Sequence, residues 1–277
     1  MKLAAIMLVF KEQHFLKASL EAVYPHVDAL CCATMYDRNL KGSPVAPDHS
    51  LETLLAIPDP QNKLRLVLQR DVSARPGSDA AARLRNAAMD LAPEADYFLI
   101  IDSDEIWTAE TLQKAWAEVQ RTRHAGYRIS SHTYFKTWNH RVVEPGEGYR
   151  PFVFLRKGFL FDEDRQIDWK GPARLREYLR TGRKPKTVYF PQDWRMHHGS
   201  CVGGDDRILT KLKNYSHADL IDPTWFDRIW KNFSPDIKNF HYYPGTEFLY
   251  ESLITIPHAE LPPEITSQEW PEGWILK

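Results

Sequence analysis

The chain has 277 residues, 43% apolar and 26% charged, a balance that excludes a disordered protein and fits one large α/β domain or two small ones. A net charge of −1 gives no overall pull towards nucleic acid or membrane. Three cysteines, two of them adjacent, exclude a disulfide framework, show no metal-site spacing and fit a reducing cytoplasm.

The apolar opening Met1–Phe10 is about half the length of a spanning helix and no small-residue cleavage site follows it, so a buried strand over Leu3–Phe10 and a cytoplasmic location are expected. Glu12–Tyr24 follows as a helix with Phe15, Leu16, Leu20 and Val23 on one face, ended by Pro25. Ala29–Met35 reads as a second strand closing on Tyr36-Asp37-Arg38-Asn39. The stretch from Gly42 to Asn62, with five Pro or Gly, reads as a long loop or short turns. Leu64–Gln69 is a third strand, and Ser78 or Asp79 caps a helix to about Leu91. Tyr97–Ile101 is a fourth strand, apolar throughout as in the middle of a parallel sheet. Strands alternating with helices imply right-handed crossovers. Neither a Gly-x-Gly-x-x-Gly fingerprint nor a phosphate-loop lysine motif occurs.

The fourth strand ends abruptly in Asp102, Ser103, Asp104 and Glu105. Carboxylates at a strand's carboxyl end sit where open α/β sheets bind ligands, and two Asp one residue apart can hold a hard divalent cation beside a diphosphate. The same acids also suit the start of a helix. Beyond them, Thr108–Arg123 reads as a helix, Gly126–Thr133 opens a strand-rich half, Phe152–Arg156 and Lys186–Phe190 read as strands, and Asp205–His217 as a helix. No internal repeat or linker divides the chain, so one domain is expected, with a nucleotide-sugar half over 1–105 and an acceptor and metal-completing half over 106–277.

The order of these features resembles the nucleotide-sugar glycosyltransferases of the GT-A fold, in the large family 2-like group. It comprises a first strand with a Lys-Glu start to its helix, a second strand ending near Asp37, Arg83-x-x-Asn86, and Asp102-x-Asp104. His197-His198-Gly-Ser-Cys-Val, followed by Lys211-x-Lys213-x-Tyr-Ser-His217, is similar to a family 17-like branch of that group. The resemblance covers roughly residues 1–220. It departs from the pattern in lacking an Asp-x-Ser-x-Asp end to the second strand and a clear Glu-Asp pair for the base.

The resemblance implies an α/β fold of GT-A type, a Rossmann-like and mostly parallel sheet flanked by helices, with a strand-rich acceptor half. It implies transfer of a sugar from a nucleotide-diphosphate sugar, a UDP-sugar first among them, to a hydroxyl. Asp104 is then the metal ligand, with Asp102 on the ribose or on the metal through water, and His198 or His197 adds an imidazole that tilts the choice from Mg²⁺ towards Mn²⁺. Arg83 approaches the diphosphate, Asn86 bridges to the acidic strand, and Lys211 rather than Lys213 points at phosphate, since residues two apart do not share a helical face. Glu12 and Asp37 stand near base and ribose. An inverting reaction needs a carboxylate base, for which Asp168 beside Trp169 is the candidate and Glu105 its competitor.

Residues 170–186 hold seven Lys or Arg against one acid, Glu177. Such a patch is the footprint of a polyanion, or else a solvated basic loop. Modified DNA, RNA or an anionic lipid glycan each fit, with Arg174, Arg176, Trp169 and Trp138 as acceptor contacts. A nucleotidyltransferase would need a Gly-rich segment after the first strand, where Phe10-Lys11-Glu12-Gln13 stands instead. A non-catalytic carbohydrate- or nucleic-acid-binding protein would bind ligand without donor breakdown.

Overall fold

The computed structural model describes residues 1–35, 37–68, 78–143, 150–163, 165–168, 172–214 and 218–277. In chain order the elements are β1 (Leu3–Val9), α1 (Gln13–Val23), β2 (Ala29–Thr34), α2 (Ser50–Leu55), β3 (Leu64–Leu68), α3 (Ser78–Asp90), β4 (Tyr97–Asp102), β5 (Glu105–Ile106) and α4 (Ala109–Thr122). They continue as β6 (Gly126–Arg128), β7 (Ser130–Val142), β8 (Phe152–Arg156), β9 (Phe161–Glu163), β10 (Gln166–Ile167), α5 (Pro172–Thr181), β11 (Thr187–Tyr189), β12 (Arg195–Val202), α6 (Asp205–Asn214), β13 (Leu253–Thr255) and α7 (Pro263–Thr266).

A seven-stranded sheet runs β11-β6-β8-β4-β1-β2-β3, mostly parallel, with β8 antiparallel to both its neighbours. This is the expected mixed α/β fold, a mostly parallel sheet flanked by helices. The central strands β1, β2 and β4 are apolar along nearly their whole length because both faces are covered. Leu3, Ala5 and Met7 of β1 pack with Leu99 and Ile101 of β4 against α1 and α4, while Ala4 and Ile6 pack with Phe98 and Ile100 against α3.

A second sheet runs β13-β7-β12-β5. Its β7 and β12 carry Tyr134, Trp138 and Val202 towards Phe15 and Ala18 of α1, and Phe135, Val142 and Cys201 towards Trp225, Trp230, Phe240 and Tyr250. The aromatic richness of the chain is spent largely on these two layers. Trp138 is fully buried among Phe15, Tyr134 and Trp270, so it fills the core and does not present a ring to an acceptor.

Two local expectations need correction. The stretch 42–62 contains the helix α2, whose Leu54 reaches the core. The basic segment is not a loop but contains the helix α5. The His197-His198 segment, to which the sequence reading assigns no element, is a strand, β12, with a bulge between His198 and Cys201.

Candidate functional site

The order of β4, β1, β2 and β3 reverses direction between β1 and β4, and at such a switch point the strand ends leave a crevice. A cavity of about 570 Å³ opens there. It is lined from one side by Leu8, Glu12 and Leu40, in the middle by Asp102, Ser103 and Asp104, and from the other side by Arg128, Phe152 and Tyr189.

The acidic turn is the place where the chain changes sheets. Asp102 is the last residue of β4, and Glu105 pairs with His198 in the second sheet. Ser103 donates its hydroxyl to the Leu8 carbonyl (2.9 Å), and the Gly199 N–H donates to the Asp104 carbonyl (2.8 Å). A Cβ on Gly199 would lie 2.6 Å from the Phe15 ring and 2.7 Å from Trp138, so only glycine permits this approach.

Asp102 sits in a network of arginines. Arg85 of α3 donates to its Oδ1 at 2.9 Å, and Arg165 approaches its Oδ2 at 3.3 Å. Arg165 also grips both carboxylate oxygens of the fully buried Glu105 and donates to the Ile100 carbonyl (2.8 Å). Glu105 in turn accepts the Asp102 N–H at 3.0 Å. Burial pushes the Glu105 carboxyl up despite Arg165, whereas at Asp102 the opposing burial is outweighed by Arg165 and Arg85, which hold it down. Glu105 does not line the cavity; it fixes Arg165 and the turn instead of meeting an acceptor.

Asp104 has different company. Lys211 of α6 donates to its Oδ2 at 2.5 Å, Arg207 lies 3.5 Å away, and His198 Nε2 is 3.9 Å from its Oδ1. Burial works against this carboxylate, but Lys211, His198 and Arg207 together hold it well below the usual range. Arg207 forks onto both oxygens of Glu12 (2.9 and 3.0 Å), donates to the carbonyls of Ser200 and Val202, and lies over the Phe15 ring. Burial nonetheless raises the Glu12 carboxyl, and it disfavours the Lys211 ammonium less than Asp104 and Glu12 favour it, so that group is raised too.

Adjacent residues of a strand face opposite ways, and the two histidines do so. His198 faces Asp104, whereas His197 hydrogen-bonds the Tyr134 hydroxyl through Nδ1 (2.8 Å) and stacks on that ring. Burial, helped by Arg141, lowers His197 to about 4. Only His198 therefore stands beside the acidic turn. Among the described residues no group of three or more His, Cys, Asp or Glu side chains forms a ligand set. Asp104 and His198 are two donors, a number that suits a divalent ion completed by phosphate oxygens and water.

No known family profile and no curated protein matches the chain. Solved structures similar to it include those of two proteins. S. aureus TarS 1–349 shares 16% identity at a TM-score of 0.44, with 72% of this chain and 61% of that one covered. The same protein in complex with UDP-GlcNAc shares 19% at 0.36, with 48% and 35% covered. Glucosyl-3-phosphoglycerate synthase from Mycobacterium tuberculosis, in complex with Mn²⁺ and UDP-glucose, shares 16% at 0.33, with 48% and 43% covered. The chain thus covers less than two thirds of the length of each.

The remaining expected residues scatter. Glu12, Asp102, Asp104 and Lys211 line the cavity together. Asn86 instead pins β9, accepting the Phe161 N–H (3.0 Å) and donating to the Phe161 carbonyl (2.8 Å). Arg83 is not at the cavity wall; Arg85, two residues on, takes that place. Asp37 is an exposed turn residue outside the cavity lining. Asp168 is half-buried and outside the cavity lining, two residues past Gln166 of the wall. Arg174 and Arg176 are exposed on α5 away from the cavity, and Trp169 lies outside the described residues.

Arg85, Arg165 and Arg207 escaped the sequence reading, yet two carried a signal. Ala81, Leu84, Arg85 and Ala88 share one helical face, which puts Arg85 and not Arg83 against the sheet. Arg207 stands four residues before Lys211, one helical turn away on the same face. Arg165 had only its place as the sole cation in an acidic run.

Proposed function

We propose that the chain is a nucleotide-sugar glycosyltransferase, moving a sugar from a nucleotide-diphosphate donor, a UDP-sugar first among them, to an acceptor hydroxyl. The observation that carries this reading is Asp104 at the carboxyl end of β4, facing a cavity of about 570 Å³ at the switch point with Lys211 and Arg207 converging on it.

The chemistry asks for stabilisation of negative charge on the departing diphosphate. Lys211 and Arg207 supply positive charge at that place, and Lys211 can exchange Asp104 for a phosphate oxygen while staying close to Glu12, 3.9 Å away. Asp104 and His198 are the residues that would hold Mn²⁺ or Mg²⁺, which when bound supplies a Lewis acid to the diphosphate. Arg85 and Arg165 keep Asp102 ionised and aimed at the cavity, where it can accept from ribose hydroxyls. In an inverting displacement Asp168 takes the proton of the attacking hydroxyl. The acceptor is an anionic glycan, a lipid or a modified nucleic acid.

The test is donor hydrolysis. The protein is incubated with UDP-, GDP-, CMP- and dTDP-sugars, with Mn²⁺ or with EDTA, and released nucleotide is followed. Slow release from one donor, accelerated by metal, is expected. Silence across the panel with no donor bound overturns the reading. Asp168→Asn should keep donor binding and lose transfer to an acceptor.

A further inference from the structure

Helix α5 carries charge and apolar surface that the cavity does not use. On its inner side Ala173 packs on the core, and four residues later Glu177 pairs with Arg156 at 2.5 Å. That pair lies with Met1 and Tyr97 at the opposite end of the sheet from the acidic turn. The opposite side of the helix points into solvent. Leu175 is 61% exposed, Tyr178 52% and Leu179 75%, at the i, i+3, i+4 spacing that forms one stripe. Arg174 and Arg176 flank the stripe on its two sides, and Arg183, Lys184 and Lys186 follow. Glu177, the one acid between residues 170 and 186, is the residue turned inward.

We infer that α5 is a docking helix for an anionic bilayer surface, seating Leu175, Tyr178 and Leu179 at the boundary of headgroups and acyl chains while its arginines meet lipid phosphates. An apolar stripe between basic flanks is the pattern of a helix lying in a membrane interface. A nucleic-acid backbone would use the cations and leave the two leucines and the tyrosine without purpose. The site is independent of the transfer reaction, since it lies away from the cavity and its test needs no donor.

The test is flotation of the full chain with vesicles of phosphatidylcholine alone, or of equimolar phosphatidylcholine and phosphatidylserine. The protein is expected to float with the anionic vesicles and not with the neutral ones, and to be released by salt as the charges are screened. Leu175→Gln with Leu179→Gln should abolish flotation. Arg174→Gln with Arg176→Gln should weaken it by about five-fold for each arginine removed. Circular dichroism melts of both variants should match the parent, because the altered side chains are exposed. Absence of flotation, or flotation unchanged in the leucine variant, overturns the inference. So does a dimer in solution that the leucine variant dissolves, or binding of duplex DNA that leaves vesicle binding undetected.

Discussion

Asp102 and Asp104 are one residue apart and live in opposite surroundings. Asp102 is held by Arg85 and Arg165 in a network that runs back to the fully buried Glu105 and the Ile100 carbonyl, with every partner drawn from the sheet, α3 or the β9–β10 turn. Asp104 is held by Lys211 and Arg207 of a single helix, and those two cations also serve Glu12. The first arrangement is rigid, because Asp102 reaches the cavity with both its oxygens already held by arginines that are anchored to the sheet and to Glu105. The second faces the cavity through a flexible lysine that can be exchanged for a ligand. A short acidic motif can thus present two carboxylates to one cavity, one fixed by arginines and one held by an exchangeable lysine.

The contrast breaks most severely at Arg165. Arg165→Met leaves the Glu105 carboxylate buried without its partner, and should cost about 3–5 kcal/mol of stability. Adding Glu105→Gln should return part of that loss, as read by urea unfolding. Recovery by the second substitution is the decisive sign, since a merely packed Arg165 would not show it. Asp104→Asn should weigh on the chemistry instead, lowering transfer by about 10³-fold with a smaller loss of stability than Arg165→Met. A variant that unfolds, or one that transfers at the parental rate, would erase the distinction between the two acids.

β12 extends the contrast, because His197 faces Tyr134 in the core while its neighbour His198 faces Asp104. The buried His197 ring is lowered from 6.5 to about 4, so between those pH values the unfolded chain binds a proton that the folded one does not. Stability from this residue is therefore complete above pH 6.5 and falls as the pH is lowered to about 4, by about 3 kcal/mol at 1.36 kcal/mol per pH unit. Urea titrations of His197→Gln should lose that share of the slope. The smallest effect is expected at Lys211: Lys211→Met should reduce transfer by about 10²-fold, with donor binding weakened in parallel.

Periodicity made the first half of the fold readable. The strands at 3–10, 29–35, 64–69 and 97–101 and the helices between them lie within a residue or two of β1 to β4, α1 and α3, because burial on two faces imposes continuous apolar runs. The second sheet was harder to see. β12 carries Arg, two His, Gly and Ser, polar residues whose burial depends on partners far along the chain, such as Tyr134 for His197. The basic segment hid α5 because its helical period was read as charge alone. At the site, Glu12, Asp102, Asp104 and Lys211 were legible as a charged set, while their arginine partners come from three separate segments that sequence order does not connect. Trp138 misled for a related reason, since an indole suited to a sugar is equally suited to a core.

The two-residue step Ser103–Asp104 is all that separates a strand of the large sheet from a strand of the small one. Asp102 is therefore carried by one rigid layer and Asp104 is tied to the other through Gly199. The spacing of the two carboxylates works as a gauge of how the layers sit against each other. A misplacement of about 1 Å at a reacting centre can cost about 10²-fold in rate, so for the proposed transfer a packing change between α1 and β12 would be read out as a change in rate.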